Sequence, residues 1–166
     1  KAREELGLDP AMQYALFFGQ IKQVKGLDIL LDAFPNDINK LNLIIAGKPW
    51  KDDFSRYQKI IENRGLKGKV NLFIRYITER EKDLLYNASD FVVLPYREIF
   101  QSGVLLMSMA YSKAVIASDL APNQEVIRNG EGLLFKSENS KDLETQIRRY
   151  AQERRHHRLE RACGCV

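Results

Sequence analysis

Residues 14–34, YALFFGQIKQVKGLDILLDAF, decide the fold. Tyr14–Phe18 is a β-prone apolar run closed by Gly19. From Lys25 to Phe34 the apolar positions Leu27, Leu30, Leu31 and Phe34 recur at the spacing of one helix face. A strand, a glycine-bearing turn and an amphipathic helix in this order open a βαβ unit, and the same order repeats along the chain.

Leu41–Ala46, closed by Gly47, predicts a second buried strand, and Asp53–Arg64 a helix stopped by Gly65. Val70–Ile74 is the third strand. Thr78-Glu79-Arg80-Glu81 has the form of a capping box and opens a helix through Asn87. Phe91–Leu94 is the fourth strand, ended by Pro95, and Gly103–Ser112 an apolar helix buried on most sides. Val115–Ala117, Asn123–Arg128, Gly132–Phe135 and Asp142–Arg155 complete the series as strand, short helix, strand and final helix. Strands that are apolar throughout belong to parallel sheets covered on both faces. The pattern therefore predicts a single Rossmann-like, doubly wound α/β domain of about six parallel strands, formed by residues 1–155. Helical periodicity stops after Arg155, and 156–166 is expected to be a disordered basic tail.

The composition suits such a domain: 166 residues, 45% hydrophobic, 29% charged, with a net charge of +4. The basic excess gathers near the end, at Arg148, Arg149, Arg154, Arg155, Arg158 and Arg161. It fits either a solvated helix face or an anionic partner such as a membrane surface. Cys163 and Cys165 stand too close together for an ordinary disulfide. A cysteine-free core is in keeping with a reducing, cytoplasmic compartment. No apolar run reaches about 18 residues, the minimum for a membrane span, and the first residues lack the apolar centre of a signal peptide.

In an open parallel sheet, ligands bind outside the carboxyl ends of the strands, so the loops after the strands carry the chemistry. The loop 19–26 brings Lys22 and Lys25 to a helix start, which suits either phosphate binding or a tight turn with solvated lysines. Arg75, directly after the third strand, suits either a bidentate phosphate contact or a surface ion pair. The loop 95–103, PYREIFQSG, packs Arg97, Glu98, Gln101 and Ser102 ahead of a helix N-terminus. Small residues there let a diphosphate approach free N–H groups, and Glu98 can accept hydrogen bonds from sugar hydroxyls. Glu125, after the fifth strand, is favourable near a helix start with no ligand present. His156 and His157 are adjacent and remote from Ser102, which argues against a catalytic triad or a metal site. Asp52 and Asp53 read as helix-start residues, and no nucleic-acid-binding motif is present.

Three stretches together, FFGQIKQVKGLDILLDAF, LNLIIAGKPW and residues 65–135 from GLKGKVNLF to GEGLLF, resemble the C-terminal domain of retaining GT-B glycosyltransferases of the "glycosyl transferases group 1" type. The likeness runs from about Tyr14 to Tyr150 and rests on the order and spacing of all the pieces. It implies a domain that binds a nucleoside-diphosphate sugar, needs no cofactor, and works with an N-terminal acceptor-binding domain that this chain lacks. The sugar would pass to a glycan or lipid-linked acceptor in surface polysaccharide synthesis, at the inner face of the membrane.

The resemblance also assigns roles. Lys25 and Gly19 match the diphosphate-binding lysine and the glycine ahead of it, while Gln20 stands where the family usually carries a basic residue. Glu98 resembles the glutamate that contacts the donor sugar, with Lys25 and Glu98 as the catalytic pair and Gln101 beside them. Ser102, Gly103 and Val104 would offer backbone N–H groups to the diphosphate, and Arg75 would add charge. Met107 stands where the family's ribose-binding glutamate is expected, a departure that alters ribose recognition. Two alternatives stay open: a degenerate, non-catalytic nucleotide- or partner-binding module of the same fold, and a sugar-nucleotide epimerase.

Overall fold

The computed structural model describes residues 1–51, 53–99, 102–127 and 132–162, with 154–162 as backbone only. A short helix α1 (Ala2–Glu5) precedes β1 (Gln13–Phe18), α2 (Leu27–Ala33), β2 (Leu41–Ala46), α3 (Ser55–Asn63), β3 (Val70–Phe73) and α4 (Glu79–Ala88). Then follow β4 (Phe91–Leu94), α5 (Gly103–Ala110), β5 (Ala114–Ser118), α6 (Ala121–Val126), β6 (Gly132–Phe135) and α7 (Ser140–Ala162). The sheet order is β3-β2-β1-β4-β5-β6, with every neighbouring pair parallel.

Alternation along the strands explains the double winding. Ala15 and Phe17 of β1 and Leu43 and Ile45 of β2 face one core, filled by Leu27, Leu30 and Leu31 of α2, Ile61 of α3 and Leu143 and Ile147 of α7. Tyr14, Leu16, Ile44 and Ala46 face the other, with Leu85, Tyr86, Leu105 and Ile127. Successive side chains of a strand point to opposite faces, so a strand apolar at every position needs a helical layer on each side. The winding reverses between β1 and β4, whose carboxyl ends flank the crevice where such folds hold ligands.

The capping box of α4 forms as its sequence predicts: the Glu81 N–H donates to Thr78 Oγ1, and the Thr78 N–H donates to Glu81 Oε2. Most boundaries shift by a residue or two, and three of the shifts have a clear physical content. Helix α6 starts at Ala121, ahead of Asn123, because Pro122 fits a first helical turn, where its missing N–H costs nothing; its expected end, Arg128, lies outside the described residues. Helix α5 stops at Ala110, and Ser112, expected inside it, takes a left-handed φ of 53°. Helix α7 continues past Arg155 to Ala162, so this part of the expected disordered tail is helical backbone. Arg, Leu, Glu and Ala are good helix formers even where apolar periodicity has ended. Residues 163–166, with both cysteines, lie outside the described residues.

The amino ends of β1 and β4 are locked. Arg3 donates to Asp90 Oδ2 at 2.7 Å, to the Ala88 carbonyl at 2.9 Å and to the Met12 carbonyl at 2.9 Å. The Tyr14 N–H donates to the same carboxylate oxygen at 2.8 Å. Both charged side chains are largely buried.

Candidate functional site

At the opposite end of the same strands the loops are drawn together by backbone. A Cβ on Gly26 would lie 1.9 Å from the Pro95 carbonyl oxygen, and Gly26 has a left-handed φ of 65°. Only glycine lets the 3-10 turn Gln23–Lys25 pass this close to the loop after β4. A Cβ on Gly47 would likewise lie 1.9 Å from the Gly19 carbonyl oxygen, so the loops after β1 and β2 touch. They are joined further by the Ile21 N–H donating to the Lys48 carbonyl and the Trp50 N–H to the Ile21 carbonyl, both at 3.0 Å.

Arg97 holds the loop after β4 in place. Its guanidinium forms a fork with Asp28 (2.9 and 2.8 Å) and donates to the Gln23 carbonyl at 2.8 Å and to Glu138 at 3.1 Å. Its backbone N–H donates to the Val24 carbonyl at 2.8 Å. Burial raises the Asp28 carboxyl, but the Arg97 bonds outweigh it and keep the group below the usual carboxylate range. The arginine of the polar loop is thus a clamp between loops.

Lys25 stands in the crevice with its ammonium 3.8 Å from the centre of the Tyr96 ring. Burial, and then the neighbouring Lys22, holds its pKa below the ordinary lysine value. Among the described residues no carboxylate pairs with it. The buried Tyr96 hydroxyl lies beside Ser102, and burial raises its pKa well above the phenol range. A half-buried cation with no counter-charge is a receptor for an anion.

Across the crevice begins α5. Ser102 is its N-cap, with Oγ accepting from the Leu105 N–H at 3.0 Å. The helix is therefore capped from within, but its geometry leaves the Gly103 and Val104 N–H groups without intrahelical acceptors. Val104 lies against Gly19: a Cβ built there would be 3.6 Å from its Cγ2. Gly19 thus adjoins Val104, and Tyr96 stands between Lys25 and Ser102. Gln20 is exposed on the lip of an adjoining cleft of about 250 Å³ lined by Phe18, Gly19, Gly47, Lys48, Tyr76 and Ile77. Glu98 is exposed in the loop after β4. Met107, one turn beyond Gly103, packs partly buried against the second core. Gln101 lies outside the described residues.

Arg75 does not join them. Its guanidinium pairs with Glu81 at 2.5 Å and lines a different cleft, with Glu5, Leu6, Arg80 and Leu84. Its neighbours Tyr76 and Ile77 line the cleft beside Gly19 instead. The capping box that starts α4 places Glu81 within reach of Arg75, and the ion pair holds it there. Reading the loops after β1, β3, β4 and β5 missed Lys48, which follows β2 and lines the same cleft as Gln20. The signal was present: every loop after a parallel strand opens on the same edge.

This arrangement of fold and loops matches known proteins. The family described as glycosyl transferases group 1 covers residues 1–163. The chain belongs to this family. It is 33% identical over 151 residues to D-inositol 3-phosphate glycosyltransferase of Rhodococcus erythropolis, covering 85% of the chain and 34% of that protein. It is 29% identical over 134 residues to GDP-mannose:glycolipid 4-beta-D-mannosyltransferase of Xanthomonas campestris, covering 76% of the chain and 36% of that protein. The chain therefore spans about a third of the length of these curated relatives. The fold is shared with sucrose-phosphate synthase of Thermosynechococcus elongatus, with TM-score 0.81, 23% identity, and coverage of 91% of this chain and 39% of that one. It is shared also with the C-terminal domain of a group 1 glycosyl transferase of Francisella tularensis, with TM-score 0.76, 19% identity, and coverage of 91% and 80%. The domain is of the GT-B C-terminal type. No helix among the described residues is long and apolar enough to cross a membrane, and none of their His, Cys, Asp and Glu side chains form a group suited to a metal.

Proposed function

We propose that this chain is the donor-binding domain of a retaining glycosyltransferase that moves a sugar from a nucleoside-diphosphate sugar to a glycan or lipid-linked acceptor. The observation that carries the reading is Lys25, half-buried, without a carboxylate partner among the described residues, and set on the Tyr96 ring, whose hydroxyl lies beside Ser102, the N-cap of α5. A diphosphate supplies the negative charge that this pairing lacks. Lys48 brings a positive charge to the lip that Gln20 leaves neutral. The relatives named for a glycolipid mannosyl acceptor and for inositol phosphate support a phosphorylated or lipid-linked acceptor, in keeping with surface polysaccharide synthesis at the inner membrane face.

In the transfer, the bond from the anomeric carbon to the diphosphate breaks. A bond to the acceptor oxygen forms on the same face of the sugar, and the acceptor proton is released. Charge grows on the departing diphosphate, so Lys25 and the α5 N–H groups contribute more in the transition state than in the ground state. Glu98 would orient the sugar from the loop, and an N-terminal domain would supply the acceptor site. This domain alone is then expected to bind donor but turn over little.

Calorimetric titration with UDP-, GDP- and ADP-sugars tests the reading. One nucleotide should bind, and Lys25→Ala should remove most of its affinity. Failure of every nucleotide to bind overturns the donor-binding role.

A further inference from the structure

A lysine that has to meet an anion carries its charge on a long flexible stem, and ordering that stem costs rotamer entropy. A carboxylate neighbour would order it, but would also neutralise it and occupy its donors. Lys25 rests on a ring instead. Its Nζ lies 3.8 Å from the centre of Tyr96, well inside the reach of about 6 Å over which an aromatic face attracts a cation. The face has a negative quadrupole but no net charge. It covers one side of the ammonium and leaves the charge, and the N–H donors on the other side, for a ligand.

The pair is held in register by backbone. The Arg97 N–H donates to the Val24 carbonyl at 2.8 Å. Gly26 approaches the Pro95 carbonyl so closely that a Cβ there would lie 1.9 Å from its oxygen. The two loops therefore run in opposite directions, with Val24 against Arg97, Gly26 against Pro95, and Lys25 opposite Tyr96 between these two ties. The ring has little freedom of its own: Tyr96 is 1% exposed and belongs to the second core. Its hydroxyl lies beside Ser102 but has no hydrogen-bond partner among the described residues. Burial and the backbone ties, not a bond from the hydroxyl, fix the ring.

We propose that Tyr96 is a positioning residue for donor binding: its ring face holds the Lys25 ammonium in place, still charged, before the diphosphate arrives. The inference rests on the donor-binding reading and deepens it. Tyr96 acts through Lys25 and touches no ligand itself.

The test is calorimetry of the full chain with UDP, GDP and ADP. Tyr96→Phe is the reference, since it keeps the ring and removes a hydroxyl that makes no hydrogen bond. It is compared with a chain carrying pentafluorophenylalanine at position 96, a ring of similar shape whose quadrupole is reversed. The fluorinated chain should bind nucleotide about threefold to tenfold more weakly than the reference. With Lys25→Ala added to both, they should bind alike, because the coupling is gone. Equal affinities with Lys25 present overturn the proposal. A difference that survives Lys25→Ala also overturns it, by assigning the effect to packing. Tighter binding by the fluorinated chain overturns it too, by showing that the ring restrains the lysine from the ligand. A second measurement needs no variant. In the free wild-type chain, the ring current of Tyr96 should move the Lys25 ε-methylene protons upfield of those of other lysines in the NMR spectrum; their absence from that region overturns the proposal. If no nucleotide binds the wild type, the donor-binding reading fails and takes this inference with it, whereas a flat comparison between two rings that both bind nucleotide removes the inference alone.

Discussion

The two ends of β1 and β4 solve opposite problems. At the amino ends, Arg3 and Asp90 are largely buried and every strong contact is internal: carboxylate to guanidinium, carboxylate to the Tyr14 N–H, guanidinium to three carbonyls. At the carboxyl ends, Lys25 is half-buried against the Tyr96 ring and, among the described residues, has no carboxylate partner. One cluster is closed and serves stability; the other is left incomplete, as the proposed diphosphate site requires. The strands are shared, so the difference arises from the loops. The lower loops supply a counter-charge, and the upper loops supply glycines that bring backbone close and leave space.

The contrast breaks most sharply at Asp90. Asp90→Ala strands a buried guanidinium and the Tyr14 N–H, and should cost about 3–5 kcal/mol of stability, seen as a lower denaturation midpoint. Nucleotide affinity of the fraction still folded should not change. The mirror experiment is Lys25→Ala, which should weaken diphosphate binding by about 1.5–3 kcal/mol while leaving the midpoint unchanged or higher, since a desolvated cation is removed. Equal loss of stability in both variants would erase the distinction.

A pH series sharpens it further. The folded pKa of Lys25 lies below its unfolded value of 10.5. Below the folded value both states hold the proton, and this group adds no pH dependence. Between the two values the unfolded chain binds more protons, so unfolding free energy rises with pH there. Binding runs the other way: affinity for a diphosphate should fall as pH passes the lowered pKa, and Lys25→Arg should abolish that fall. The smallest effect is expected at Arg75. Arg75→Ala breaks an exposed pair with Glu81, so diphosphate affinity should stay within error of wild type and stability should hardly move. A clear loss of affinity would return Arg75 to the site.

How much of this was legible from the chain varies by residue. Phe91–Leu94 is apolar at every position and could only be a strand covered on both sides. Thr78 and Glu81 announced their helix start through a local, reciprocal pair of bonds. The placement of Lys25 at the turn after β1 was readable because that turn is only a few residues long. Arg75 and Arg97 were not, although both stand just after strands. Their roles are set by partners: Glu81 six residues on for one, and Asp28 in the first turn of α2 and Glu138 after β6 for the other.

Periodicity and turn chemistry are local, and they alone determined the parallel α/β domain, its strand–helix order and the edge on which its loops gather. Which cations on that edge are free and which are spent was decided only when distant segments met. Coulombic pairing and desolvation depend on separation in space, which sequence spacing does not record.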